Sequence, residues 1–252
     1  STLGCIDAYN FGVDLIIDGN VILDCYGRGI QTKSDARRVI ITNNLVDGLA
    51  NGIGGLLAIN SSPDYTGGHM ILVEGNVLAN NPYGDGLVCT GVGVEEGSGV
   101  LWQSRVSSVS VLNNIVRNVV GNGIDESYHR DVMIHNNIVS NCAYGISASN
   151  VASVLTIRNN NVSNVSAYGI VVDSACVGAA ASISGNHISD LPTRNFRAIS
   201  VGASKSLLCS DNHIQNINGI GIYIVAVSRT LTVIGNIVDG VLTHGITIAD
   251  CL

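Results

Sequence analysis

Residues 134–149 read IHNNIVSNCAYGISAS; the phrase returns at 157–172 as IRNNNVSNVSAYGIVV and, more loosely, at 233–248 as VIGNIVDGVLTHGITI. Aligning the chain on the Asn that precedes each apolar pair gives the anchors Asn20, Asn44, Asn76, Asn114, Asn137, Asn160, Asn186, Asn212 and Asn236. Successive anchors are 24, 32, 38, 23, 23, 26, 26 and 24 residues apart. Apolar residues stand five and three positions before most anchors, as in Leu15/Ile17 and Val132/Ile134, and again two positions after, as in Ile22 and Val139. Asn, Asp or Gly stands four positions after. A second anchor, Gly followed by Ile or Leu, recurs at Gly29, Gly52, Gly86, Gly123, Gly145, Gly169, Gly221 and Gly245, with Ala198 in the same slot.

Each unit thus holds three short alternating stretches, broken by Asn or Gly. Alternation is the strand period, and Asn and Gly tolerate left-handed corners. Units this short cannot close a core alone, so they must stack, each strand pairing with its equivalent one unit later. The expectation is an all-β solenoid, a parallel β-helix of about nine coils and roughly 40 Å length at the usual strand spacing. A leucine-rich repeat lacks its consensus here, and β-branched, Gly-rich units refuse a helical repeat. Aligned Asn amides one strand apart should form a hydrogen-bonded ladder at a buried corner. Tyr144 and Tyr168 share one slot in adjacent coils and should stack. His187 and His213 share another, but with no third ligand they predict no metal site, and no cofactor is called for.

The totals fit this reading. The 252 residues are 46% hydrophobic and 12% charged, with 30 Gly and 3 Pro, which describes a large core rather than a disordered chain. A net charge of −7 argues against nucleic acid or an anionic membrane surface as partner. No apolar run approaches the ~20 residues of a membrane helix, and STLGCIDAYN lacks signal-peptide features. The seven cysteines are odd in number, form no CxxC and sit mostly in apolar strings. They predict buried free thiols, no disulfide framework, no zinc and folding in a reducing compartment.

Function on a repeat scaffold resides where the repeat is broken. Insertions stand at 60–69 (NSSPDYTGGH) and 91–107 (GVGVEEGSGVLWQSRVS), and the next coil reads DESYHRD at 125–131. Their stacking would gather Asp64, Tyr65, His69, Glu95, Glu96, Trp102, Arg105, Asp125, Glu126, Tyr128, His129, Arg130 and Asp131 on one side. Two carboxylates dividing acid and base or nucleophile roles, a cation for an acidic sugar and an aromatic ring suit glycan chemistry. The catalytic candidates are Asp125 and Glu126, then Glu95, Asp85 and Asp64. Trp102, Tyr65, Tyr128, His129, Arg130, Arg105 and Asp173 are candidates for substrate binding. Alternation turns Asp125 outward and Glu126 inward, so Glu126 needs either a bulge or a buried partner such as Arg130. Asp173 should lie outward two coils further along the same stack.

The repeated NNxVxN phrase followed by GI, as in IHNNIVSN and YGISA, resembles the right-handed parallel β-helix proteins of the pectate-lyase-like superfamily over essentially the whole chain. Within that superfamily it looks most like the β-helical domain of a bacteriophage tailspike. That resemblance implies a homotrimer on the virion tail, folded in the host cytoplasm, which binds and depolymerises bacterial surface polysaccharide as a glycoside hydrolase or lyase during host attachment. The chain lacks the paired-Asp and HG constellation of polygalacturonases, the RxPxxR-like segment of pectate lyases and the alginate epimerase signature, so no catalytic residue carries over. Two other readings stay open. One is a secreted, stand-alone bacterial polysaccharide lyase, hydrolase or epimerase. The other is a non-catalytic structural or adhesive β-helix, favoured by the 4% aromatic content. The whole of 1–252 reads as one β-helix domain. It opens and closes inside the repeat, so flanking domains or neighbouring subunits are expected at both ends.

Overall fold

The computed structural model describes residues 5–9, 14–34, 38–49, 55–61, 70–91, 108–173, 176, 178–194 and 196–251. Among the described residues the chain winds into three parallel sheets of ten, nine and nine strands. Every strand pairs with its counterpart one coil away. One coil shows the logic. Asp131–His135 lies in sheet B, Ile138–Cys142 in sheet C and Tyr144–Ser149 in sheet A. The quoted phrase runs from the end of the first strand through the third, so the expected three-strand unit and its stacking are what the chain adopts.

Register makes the core. In sheet B the inward residues Ile41, Val73, Val111, Ile134, Ile157 and Ile183 stack in one column, all fully buried. Sheet C adds Val46, Leu78, Val116, Val139, Val162 and Ile188, and sheet A adds Ile30, Leu57, Leu87, Ile124, Ile146 and Ile170. Burying each such side chain contributes about 1.5–3 kcal/mol. Like residues repeat at one strand spacing, so each column packs on itself.

The corner between sheets B and C is built by the Asn anchors. Asn137 donates its amide N–H groups to the Val111 carbonyl at 2.9 Å and to Asn160 Oδ1 at 3.0 Å. Its own Oδ1 accepts from the backbone N–H and side-chain amide of Asn114. All four hydrogen-bonding positions of the side chain are therefore filled inside the core. The same ladder runs from Asn20 to Asn236. The residue before each buried Asn holds a left-handed backbone, as at Asn136 (φ 57°) and Asn159 (φ 55°), and so does the position four after, as at Asn141 (φ 54°). The latter residues form a second ladder at the surface, Asn164 donating to Asn141, Asn141 to Asn118, Asn118 to Asn80 and Asn80 to Asp47.

The Gly anchors serve a close approach. A Cβ at Gly145 would lie 2.4 Å from both the Gly169 carbonyl oxygen and Val162 Cγ1, since the corner between sheets C and A brings strand and neighbour into contact. One expected anchor shifts. Leu56-Leu57, not Gly52-Ile53, takes the slot in its coil, because Leu57 pairs with Ile30 and Leu87. Residues 50–54 lie outside the described residues.

The cysteine expectation needs correction. Cys5 and Cys25 form a disulfide with Cα atoms 6.1 Å apart. Cys5 precedes Ile6, which pairs with Ile30, so it stands in the column of Gly29 and Gly123. Side chains in that column face the sheet C strand of the following coil: a Cβ on Gly123 would lie 3.4 Å from Cys142 Sγ. A cysteine there meets Cys25 across the same gap. Cys89, Cys142, Cys176 and Cys209 are buried free thiols as expected, and Cys251 is a half-buried one. Burial pushes the Cys142 and Cys209 thiols up to about 12. Tyr144 and Tyr168 stack with centroids 5.6 Å apart, and His187 and His213 meet edge to face at 5.0 Å. No helix among the described residues is long and apolar enough to cross a membrane.

Candidate functional site

Sheet A carries the candidate carboxylates that fall among the described residues. Its strand Asn122–Ser127 has the burial pattern that alternation predicts at its centre: Ile124 inward, Asp125 half-buried and outward, Glu126 inward. Glu126 is fully buried in a column between Cys89 and Ala148 of the adjacent coils. Two small neighbours leave room for the carboxyl group.

The expected partner Arg130 is not the one used. Glu126 Oε1 pairs with His129 Nδ1, and both side chains are wholly inaccessible. Arg130 points outward, its side chain 64% exposed and its Nε 3.8 Å from Asp131. The local backbone explains the exchange. Tyr128 adopts a left-handed conformation (φ 64°), uncommon for a bulky residue, and this turn folds His129 back under Glu126. His129 therefore belongs to the interior, not to a sugar-binding surface. Burial raises the Glu126 carboxyl, against the pull of His129. Glu126 Oε2 and His129 Nε2 have no hydrogen-bond partner among the described residues. An acid sealed in the solenoid cannot protonate a polymer outside it, so Glu126 leaves the catalytic set.

Asp125 remains. Burial is the first cause that raises its carboxyl, and repulsion from Asp85 adds to it, while hydrogen bonds with Ser147 and Asn122 oppose the rise. Asp85 sits just before the Gly86 anchor of the preceding coil, and its Oδ1 accepts the Asn122 backbone N–H at 2.6 Å. Two carboxylates from neighbouring coils thus converge on Asn122. One is pushed towards its protonated form and the other is fixed by a backbone donor. Two carboxylates held side by side in unlike surroundings are the arrangement an acid–base pair needs.

Asp173 does not join them. Val171 pairs with Ser147 and so with the Asp125 row, whereas Asp173 follows the strand end at Val172. Glu95, Asp64, Trp102, Tyr65 and Arg105 lie outside the described residues, as do 62–69 and 92–107 of the two insertions.

Residues that sequence reasoning passed over complete the face. The position just before each sheet A anchor points outward, giving a column of Asp85, Asn122, Tyr144, Tyr168 and Arg197. Beside it runs the column Val88, Asp125, Ser147, Val171, Ser200 and Tyr223. Phe196 packs edge-on against Tyr168 at 5.5 Å. Arg197 Cζ lies over the Tyr223 ring, 3.6 Å from its centroid, and Nη1 donates to Ser200 Oγ at 3.1 Å. The signal was present in the sequence as two columns, one position before each Gly or Ala198 anchor for Asn122 and Arg197 and two positions after it for Ser147 and Tyr223; coil spacing marks them, and no insertion does. Among the described residues no cluster of three or more His, Cys, Asp or Glu is arranged to hold a metal ion.

No curated protein and no solved structure matches the chain at a significant level. The family described as right handed beta helix region matches residues 65–188 and 144–251. Its two overlapping matches cover most of the chain and the coils that build the acidic pair. With its three parallel sheets and stacked coils, the chain belongs to the right-handed β-helix family.

Proposed function

We propose that the chain binds bacterial surface polysaccharide along the outer face of sheet A and cleaves it at Asp125, as the β-helical part of a phage tailspike. The carrying observation is the convergence of Asp85 and Asp125 on Asn122, with the Asp125 carboxyl raised by burial. Asp125 gives its proton to the leaving glycosidic oxygen as the C–O bond breaks. Asp85, through the oxygen not bound to Asn122, takes a proton from the attacking water. A homotrimer agrees with the outer face of sheet B, where Met70, Met133, Val154 and Leu208 are between 38% and 44% exposed.

Incubation with capsular or O-antigen glycans tests the reading. The wild type should release oligosaccharides with new reducing ends, and Asp125→Asn should reduce the rate at least about 100-fold. Activity should fall as pH rises through the elevated range of the Asp125 carboxyl, since the acid form does the work. Unsaturated products would mean a lyase instead. Unchanged turnover in Asp125→Asn would remove the site. A second reading, a shaft that binds without cleaving, is favoured by the commitment of Asp85 Oδ1 to the Asn122 N–H. It predicts retained binding with no release. Light scattering should give a trimer mass for the spike and a monomer for a free enzyme.

A further inference from the structure

Arg197 is a half-buried cation whose charge no described residue matches. Among the described residues Nη1 donates to Ser200 Oγ and the buried Nε, one of the five N–H donors, meets no acceptor. No carboxylate among the described residues lies within ion-pair distance of it. The guanidinium is held all the same, over Tyr223 at 3.6 Å from the ring centroid with the Tyr168 centroid 5.9 Å away. A half-buried charge left without a counter-charge is costly, and a stacked guanidinium has already lost the side-chain freedom that binding a partner would otherwise remove.

The opposite charge stands on the same face. Asp85 and Asp125 lie on the strands Leu87–Gly91 and Asn122–Ser127 or just before them, and Arg197 opens the strand Arg197–Val201. From Asp125 to Arg197 the chain passes through Tyr144–Ser149 and Ile170–Val172, three strand spacings or about 14 Å. The residues between, Tyr144, Ser147, Tyr168 and Val171, carry no formal charge. Between Asp85 and Arg197 the face therefore runs from acidic through neutral to positive.

We infer that Arg197 is the receptor for a carboxylate on a glycan whose anionic groups are sparse, so that one uronic acid docks at Arg197 while a neutral linkage lies over Asp85 and Asp125. This rests on the glycan-binding reading and narrows its substrate class. A polymer with a carboxylate on every ring would set negative charge against two acids and is disfavoured. A heteropolysaccharide with one uronic acid in a repeat of a few sugars fits both ends.

The test uses the full chain and capsular-type polysaccharides with one uronic acid per repeat, each paired with its carboxyl-reduced twin, plus a polyuronate. For glycans that bind, the acidic form should bind about tenfold tighter than its twin at low salt, the gain of one charge-assisted hydrogen bond. The gap should shrink with added salt, vanish in Arg197→Gln and survive in Asp125→Asn, and the polyuronate should bind more weakly than the sparse polymer. Independently, monomeric glucuronate but not glucose should shift the Arg197 Nε–H resonance in a ¹⁵N spectrum, with Arg197→Gln identifying the peak. Equal binding of the acidic and reduced twins, or a gap that persists in Arg197→Gln, overturns the assignment. So does an unmoved Nε–H resonance. A shifted resonance with no polymer bound would instead retain the carboxylate site and sink the polysaccharide reading.

Discussion

The pair Glu126 and His129 shows how one residue can break a repeat without leaving it. Its position is an ordinary inward slot, filled elsewhere in the column by Ile59, Cys89, Ala148 and Val172. Removing either member should cost about 3–5 kcal/mol, because the survivor stays buried and unpaired. Replacing both, as in Glu126→Val with His129→Leu, should recover most of that loss. Urea unfolding of the two single variants and the double checks it, and a double variant as damaged as the singles would refute the pairing. Asp125 carries a pH signature. Its folded carboxyl is raised, so the folded chain holds the proton longer than the unfolded one, and stability falls as pH rises from the ordinary carboxylate range through the raised value. Asp125→Asn should therefore raise the melting temperature at pH 7, with the advantage gone below the ordinary carboxylate range. The inward turn of Glu126 was legible from alternation alone. Its partner was not, since only the left-handed turn at Tyr128 sends His129 inside and Arg130 out, and nothing in SYHR states that conformation.

Among elements, the corners separate two kinds of asparagine that look alike in sequence. Asn137 sits in the buried ladder, and its removal would leave the Asn114 amides and the Val111 carbonyl without partners. Asn137→Ala should cost about 3 kcal/mol or more, a sum over several buried groups at about 1–3 each. Asn141 sits in the outer ladder, where the left-handed backbone matters more than the exposed hydrogen bonds. Asn141→Gly should change stability by only a few tenths of a kcal/mol, while Asn141→Ala should cost about 1. Other coils already place Gly48 and Gly240 at that position, both with positive φ. Thermal melts of the three variants give the ranking, and an Asn141→Gly loss as large as that of Asn137→Ala would defeat it. The three-strand unit and the buried ladder could be read from the phrase at 134–149, because strict spacing left no other use for its Asn. The outer face of sheet A could be read only in part, at Asp125 by alternation and not at the position before each anchor. Its members are set by parity at a corner, where Gly123 and Ile124 both turn inward and the alternation that guides strand reading lapses.

In the whole molecule each coil touches only its neighbours, so damage should spread by contact and fade with distance. Glu126→Ala should raise hydrogen exchange most in the strands on either side, Leu87–Gly91 and Tyr144–Ser149, and least in Val227–Ile234. A uniform rise along the chain would show that the solenoid unfolds as one unit. The two ladders also give the molecule a sense of direction. In the inner row each Asn-to-Asn bond is donated to the coil that follows, from Asn20 to Asn236. In the outer row each donates to the coil before, from Asn164 back to Asp47, and the row restarts where Asn216 donates to Asp190. The rows are thus opposed lines of dipoles, and each outer segment ends with a carboxylate against its positive end, as an acid sits at the start of a helix. Asp190 accepts but cannot donate onward, so it interrupts the line. An acidic substitution at Asn164 would place charge at the negative end of such a line, in a field opposite to the one that holds Asp47.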